Sequence, residues 1–251
     1  MKKIIFSCET ISILLLLFVS VVSAETYEVQ VDGTDAIFLA GRTDVTIPPV
    51  SEQWIGDTVL LRHPWRTPEE MQETLPKIIP VKGGDVIRLL DPAIGGISFF
   101  NGFGKPFYGP SGNGEAGSQL RSLDGISGYA GPEGALTGVF LSDAILDTEP
   151  APLTLDFTPT GIGTYFATLS PLIGQVFYIG DGVKNNGETQ TFITPKGATR
   201  LALGVPDGFL FDGDPGAYDD NDGSYLVRLG INKNPRKSDT AKKLHTPKER
   251  K

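Results

Sequence analysis

The stretch Leu201 to Leu229, LALGVPDGFLFDGDPGAYDDNDGSYLVRL, decides how the chain is read. Two apolar, alternating runs at its ends have the period of β-strands. Between them lie Asp207, Asp212, Asp214, Asp219, Asp220, Asn221 and Asp222 among glycines and prolines. Asp, Asn, Gly and Pro also make ordinary solvated turns. Here, however, neighbouring carboxylates repel one another, and a bound divalent cation would relieve that repulsion. Carboxylate and amide oxygens suit Ca²⁺, whereas Zn²⁺ asks for His or Cys, which the loop lacks. An EF-hand does not account for the loop: taking Gly223 as its sixth-position glycine puts Tyr218 first and Leu229 last, where acidic residues are required. The expected site is a hairpin-like loop at the meeting of two adjacent strand ends.

Working outward, residues 1–24 read as a secretory signal, with Lys2 and Lys3 at its start, an apolar core from Ile11 to Val22, and Val22-Ser23-Ala24 as the cleavage site. An uncleaved anchor is the alternative, although the apolar run is short for a transmembrane span. The single cysteine, Cys8, lies in this segment, so the mature chain would have no disulfide and no thiolate chemistry. A secreted, extracellular or cell-surface location is expected.

The remaining chain is rich in Gly and Pro and almost devoid of helical periodicity. We therefore expect an all-β fold of short strands joined by turns, arranged as a sandwich or barrel. Tyr27–Val31 and Ala36–Ala40 read as a hairpin about Asp32-Gly33, and Lys77–Val81 with Val86–Leu90 as another about residues 82–85. Between them, residues 46–80 read as a long connection with one short strand at 58–61 and a helical turn opening at Pro68. Residues 95–117 carry too many glycines for a regular element. Their aromatics, Phe99, Phe103 and Phe107, either form a ligand platform or tuck into the core. Further strands are expected at 135–141, 153–157, 165–169, 175–179, 189–193, 200–204 and 224–229.

Residues 25–231 carry 12 Lys+Arg against 27 Asp+Glu, a net of −15, and residues 232–251 carry 8 against 2, a net of +6. The acidic body argues against nucleic acid as a partner. The basic tail is expected to be disordered and is either a solvated extension or an arm for a polyanion. Catalysis finds little support. Histidines occur only at His63 and His245, and Gly125-Ile126-Ser127-Gly128 misses the nucleophile-elbow spacing by one residue. Paired carboxylates for glycoside hydrolysis stay open, since their separation is not readable from sequence. The expectation is a protein that is not an enzyme.

Gly204-Val205-Pro206-Asp207 followed by Pro215-Gly216-Ala217-Tyr218-Asp219-Asp220-Asn221-Asp222-Gly223-Ser224-Tyr225 resembles the calcium loop of the bacterial galactophilic lectins of the PA-I type. Gly83-Gly84-Asp85-Val86-Ile87 and Tyr108-Gly109-Pro110-Ser111-Gly112-Asn113 are similar to two further motifs of that family, so the resemblance spans roughly residues 75 to 231. The body also resembles longer secreted surface proteins that end in a PEP-CTERM sorting signal. It does so at residues 35–41, 138–141 and 169–182, although the sorting signal itself is not found.

The resemblance implies a jelly-roll-like, galactose-binding-like β-sandwich over residues 75–231, with residues 25–74 as a β-extension packed on it. It implies calcium held by side-chain oxygens of Asp207, Asp220 and Asn221, by the Ala217 carbonyl, and by a carbonyl near Phe100. Asn101, Tyr108, Asn113 and Asp222 would lie toward a carbohydrate ligand, because in the family the ion takes two adjacent sugar hydroxyls. Two departures stand out. About six extra residues, Gly208 to Gly213, intervene between Asp207 and the rest of the loop, an insertion that costs little thermodynamically. The family's sugar-gripping His and Gln have no counterpart after Asn113, where Gly114-Glu115-Ala116-Gly117 stands. The expectation is a calcium-dependent carbohydrate-binding protein, the alternative a surface or matrix protein in which calcium only stabilises the sandwich.

Overall fold

The computed structural model describes residues 24–42, 73–99, 107–114, 117–144 and 150–235. Expectations about the secretory signal, the strand at 58–61, the helical turn at Pro68, both histidines, Phe100, Asn101, Phe103 and residues 236–251 fall outside them. The fold is an all-β sandwich, as the short alternating runs predict.

The strands are β1 (Glu25–Asp32), β2 (Lys77–Pro80), β3 (Val86–Leu89), β4 (Ile94–Ser98), β5 (Gly117–Leu120), β6 (Tyr129–Pro132), β7 (Thr137–Leu141), β8 (Thr168–Leu169), β9 (Val176–Tyr178), β10 (Thr191–Ile193), β11 (Arg200–Gly204), β12 (Asp212–Gly213) and β13 (Asp222–Ile231). One sheet runs β1-β13-β3-β10-β8, with β4 also paired to β13. The second runs β2-β11-β7-β9, and a small third sheet runs β12-β5-β6. From β7 to β11 the chain alternates between the two larger sheets.

The spine of the first sheet is β13. Along one edge it pairs with all of β1, from Glu25 opposite Ile231 to Asp32 opposite Ser224. Along the other it pairs first with β4 and then with β3. Successive side chains of a strand point to opposite faces. Accordingly Tyr225, Val227, Leu229 and Ile231 are buried, while Leu226 between them is exposed. The two sheets meet where Phe177 of β9 lies 5.4 Å from Phe192 of β10, and within the second sheet Phe140 of β7 lies 5.1 Å from Phe177. These centroid distances are those of favourable ring pairs, which add to the burial of large apolar area.

Four expectations are corrected by pairing partners that lie far away in sequence. Residues 36–40 are not the return strand of a hairpin. They are buried, form a short 3-10 turn at Ile37–Leu39, and bridge to Val205 at Ala36. Strands β2 and β3 are not a hairpin either. The turn between them carries the chain from one sheet to the other, because β2 pairs with β11 and β3 with β10 and β13. Residues 153–157 form only a bridge from Asp156 to Ala130.

The fourth correction concerns the glycine-rich segment, whose first residues, 95–98, belong to strand β4. Its glycines serve close approach: at Gly95, with φ +113°, an added Cβ would meet the Ser224 carbonyl oxygen at 2.2 Å, and Gly223 opposite has the same relation to Gly96. Only glycine tolerates such a backbone without strain. The basic segment is docked at its start, where Asn232 accepts from Val86 N–H at 2.9 Å and donates to Asp85 at 2.7 Å.

Candidate functional site

The acidic loop connects β11 to β13, which belong to different sheets. It is therefore a crossing between the layers and not the hairpin-like loop expected from adjacent strands. The reason is that β11 has both its edges taken by β2 and β7, and β13 has both taken by β1, β3 and β4.

Tyr218 anchors the crossing. Its side chain is fully buried against Ala36 and Leu39, its hydroxyl donates to the Val205 carbonyl at 2.8 Å, and the same oxygen accepts from Asp207 N–H at 3.2 Å. Burial first, and then the nearby Asp207 carboxylate, hold the phenol well above its ordinary range, so it stays a neutral donor. Ala217 precedes it with φ +61°, a left-handed conformation uncommon for a residue bearing a Cβ. A short 3-10 turn at Tyr218–Asp220 then delivers Asn221 to the start of β13.

Four of the loop's carboxylates divide into two groups. Asp214 points outward and pairs with Arg121 at 3.0 Å, both well exposed, a surface contact of small energetic weight. Asp212 is exposed on β12 beside β5. Asp207 and Asp220 turn inward, with 2 % and 8 % of their surface exposed, next to Asn221 at 3 %. Separation of the two groups relieves part of the repulsion that the sequence concentrates in one loop.

Asp207 and Asn221 meet directly. The Asn221 carboxamide nitrogen donates to Asp207 Oδ2 at 2.8 Å and to the Gly33 carbonyl at 2.9 Å, while Asp207 Oδ1 accepts from Gly208 N–H at 2.7 Å. With both donor hydrogens used on these acceptors, the orientation of the amide is fixed by its neighbours. Asn221 Oδ1 is left buried with no hydrogen-bond partner. A buried amide oxygen without a partner costs about 1–3 kcal/mol, so a cation in front of it would recover that loss.

Gly33 is part of the site and was legible in the sequence only as a turn glycine. An added Cβ there would meet Ile97 at 2.9 Å and the Asn221 Cβ at 3.2 Å, so the close seating of Asn221 requires glycine. Its N–H also donates to the Gly223 carbonyl at 3.0 Å.

The remaining candidates sit differently. Asp222 is half-buried at the first position of β13, opposite Ser98 of β4. Tyr108 bridges to Ile97 through its backbone and packs its ring 5.6 Å from Phe99; its phenol is pushed up by burial and by the Glu133 charge. Asn113 spends its carboxamide on Glu133, donating to the carboxylate at 2.8 Å and accepting from the backbone N–H at 3.2 Å. Of the expected aromatic platform, Phe99 is buried and Phe107 is exposed.

Among the described residues no three His, Cys, Asp or Glu side chains converge on one point. The Asp207 carboxylate, the Asn221 carboxamide and the Gly33 carbonyl meet here, with Asp220 buried next to Asn221 in sequence, and all of these are hard oxygen donors. Among the same residues no helix is long and apolar enough to cross a membrane. No protein-family model matches the chain, and neither a curated protein nor a solved structure matches it significantly.

Proposed function

We propose that this is a secreted calcium-dependent carbohydrate-binding protein, with the ion held by Asp207, Asp220 and Asn221 side-chain oxygens and the Ala217 carbonyl. The observation that carries the reading is the partnerless, buried Asn221 Oδ1 beside the inward-turned Asp207. The left-handed Ala217 and the neutral Tyr218 anchor support it, because both hold loop backbone in place before any ion arrives. Calcium so bound would offer its open coordination positions to a pair of adjacent sugar hydroxyls. The carboxylates neutralise the ion, the Asn221 nitrogen restrains Asp207, and Tyr218 fixes the loop between the sheets.

A glycan array probed with and without calcium tests this reading. Signal that requires calcium and disappears in Asp220→Ala supports it; absence of any calcium-dependent signal on folded, calcium-loaded protein removes carbohydrate from the account.

A second reading has its own observation. Asp207, Asp220 and Asn221 are each more than nine-tenths buried. That degree of burial favours an ion that clamps the crossing between the sheets without facing a ligand. In that case calcium raises the melting temperature and no glycan signal depends on it.

A further inference from the structure

A groove that shares no residue with the acidic loop lies between the paired ends of β5 and β6, residues 157–165 ahead of β8, and the turn from β9 to β10. It consists of two adjoining depressions of about 410 and 450 Å³, which have Gly114, Pro132, Thr164 and Tyr165 in common. Each is within the usual size of a small-ligand site.

The two ends differ in chemistry. One is walled by Pro132, Pro159 and Ile162 over glycine backbone at Gly117, Gly131 and Gly161. The other presents Ser111, the Tyr178 hydroxyl, Asp181, Lys184 and Asn185. At their junction stands Tyr165, whose surface is 60 % exposed, a large aromatic that the core does not use.

The charged groups of the groove are held by their neighbours. Lys184 is paired with Glu188 across the tight turn that Val183 and Thr189 close by an antiparallel bridge. Asp181 Oδ1 accepts from Val183 N–H at 3.2 Å, and the Ser111 hydroxyl bonds both Asp181 and Tyr178. Burial pushes Asp181 up and Tyr178 up to about 12, while these hydrogen bonds act in the opposite direction on the carboxylate. An anionic ligand would meet Lys184 already paired, whereas the Asp181 carboxylate, with about four lone-pair sites, can still accept from a ligand hydroxyl beside Ser111 and Val183. A ligand with one apolar face and a rim of hydroxyls fits both ends at once: carbon-bound hydrogens pack on the ring, and hydroxyls meet a carboxylate and a carboxamide. A neutral pyranose has that shape.

We propose that this groove is a calcium-independent subsite for a neutral oligosaccharide, with one sugar ring against Tyr165 and its hydroxyls on Asp181 and Asn185. It goes beyond the calcium reading and stands without it. With both sites present, one protomer contacts a glycan surface twice, and the second contact gains from the effective concentration set by the first.

The test is an array of neutral, sialylated and sulfated glycans, and of unrelated peptides, probed in EDTA with wild type, Tyr165→Ala and Tyr165→Trp. EDTA silences the acidic loop, so failure of that site and failure of this groove give separate results. The expected outcome is an EDTA-resistant signal on neutral glycans that falls about tenfold in Tyr165→Ala, the scale of one lost stacking contact, and survives in Tyr165→Trp. Because Tyr165 is exposed, the melting temperature of both variants should match wild type. No glycan signal in EDTA, a signal indifferent to Tyr165→Ala, or a preference for sulfated glycans or peptides would each overturn the proposal.

Discussion

Asn221 donates to Asp207 Oδ2 at 2.8 Å across a loop that joins the two main sheets, and the amide oxygen left over is buried without a partner. Replacing Asn221 by Asp keeps Oδ1 but puts a second oxygen in place of the donor nitrogen, setting a carboxylate against Asp207. We expect Asn221→Asp to melt below wild type in EDTA and to gain more than wild type when calcium is added. Asn221→Ala removes both hydrogen bonds and should cost about 2–4 kcal/mol in chelator, with no recovery in calcium. Thermal melts of the three proteins in EDTA and in calcium check both expectations.

The contact of β4 with β13 depends on absent side chains. In Gly95→Ala the new Cβ would lie 2.2 Å from the Ser224 carbonyl, and the obstacle is backbone that cannot rotate away. The left-handed φ adds strain of its own. We expect a loss of about 3 kcal/mol or more, read as a lower urea midpoint with the slope unchanged.

How much of this was readable beforehand differs from element to element. Strands β11 and β13 were: the alternation of β13 is a local property of the chain and its burial follows it, while β11 reads as a short apolar run and is buried on both faces. The partners of β2 and β3 were not. A tight turn such as residues 82–85 serves a hairpin or a crossing between sheets equally well, and the choice is made by β11 and β13 more than a hundred residues later. Gly95 and Gly223 misled for a related reason: glycine's meaning depends on what approaches it, and here the two approach each other's strands. At the site, Asp207, Asp220 and Asn221 were visible as residue types, but Gly33 joins them only through the fold.

Lys77 bridges Asp32 at 3.0 Å and the fully buried Asp35 at 3.2 Å. Burial raises Asp35 above its ordinary value, although Thr74, Asp32 N–H and Lys77 all favour its charged form. An acid raised on folding stabilises the fold in its protonated form, and that contribution is lost as pH rises through the folded value. Lys77→Met should therefore cost about 1–2 kcal/mol at neutral pH, the lysine being one-third exposed, and much less at about pH 3.5, below the ordinary Asp value. Urea melts of the pair at both pH values measure the difference.

The Tyr225 hydroxyl donates to the Gly134 carbonyl at 2.6 Å and lies 3.2 Å from that of Tyr108, joining β13 to two distant turns. Its ring is in the core, so Tyr225→Phe removes only the hydroxyl and leaves a buried carbonyl unpaired. The expected cost is about 1–2 kcal/mol, read from equilibrium denaturation.

The most direct measurement is calorimetric titration of calcium into chelator-stripped protein, paired with its melting temperature in EDTA and in excess calcium. The account predicts one saturable site. At a calcium concentration about a hundredfold above Kd, the ion should stabilise the fold by about 2.7 kcal/mol, a rise of roughly 5–10 °C for a domain of this size, and Asp207→Ala should abolish both the heat and the shift. A folded wild-type protein that takes up no calcium and melts at the same temperature with and without it would contradict the account and return Asp207, Asp220 and Asn221 to a purely structural crossing.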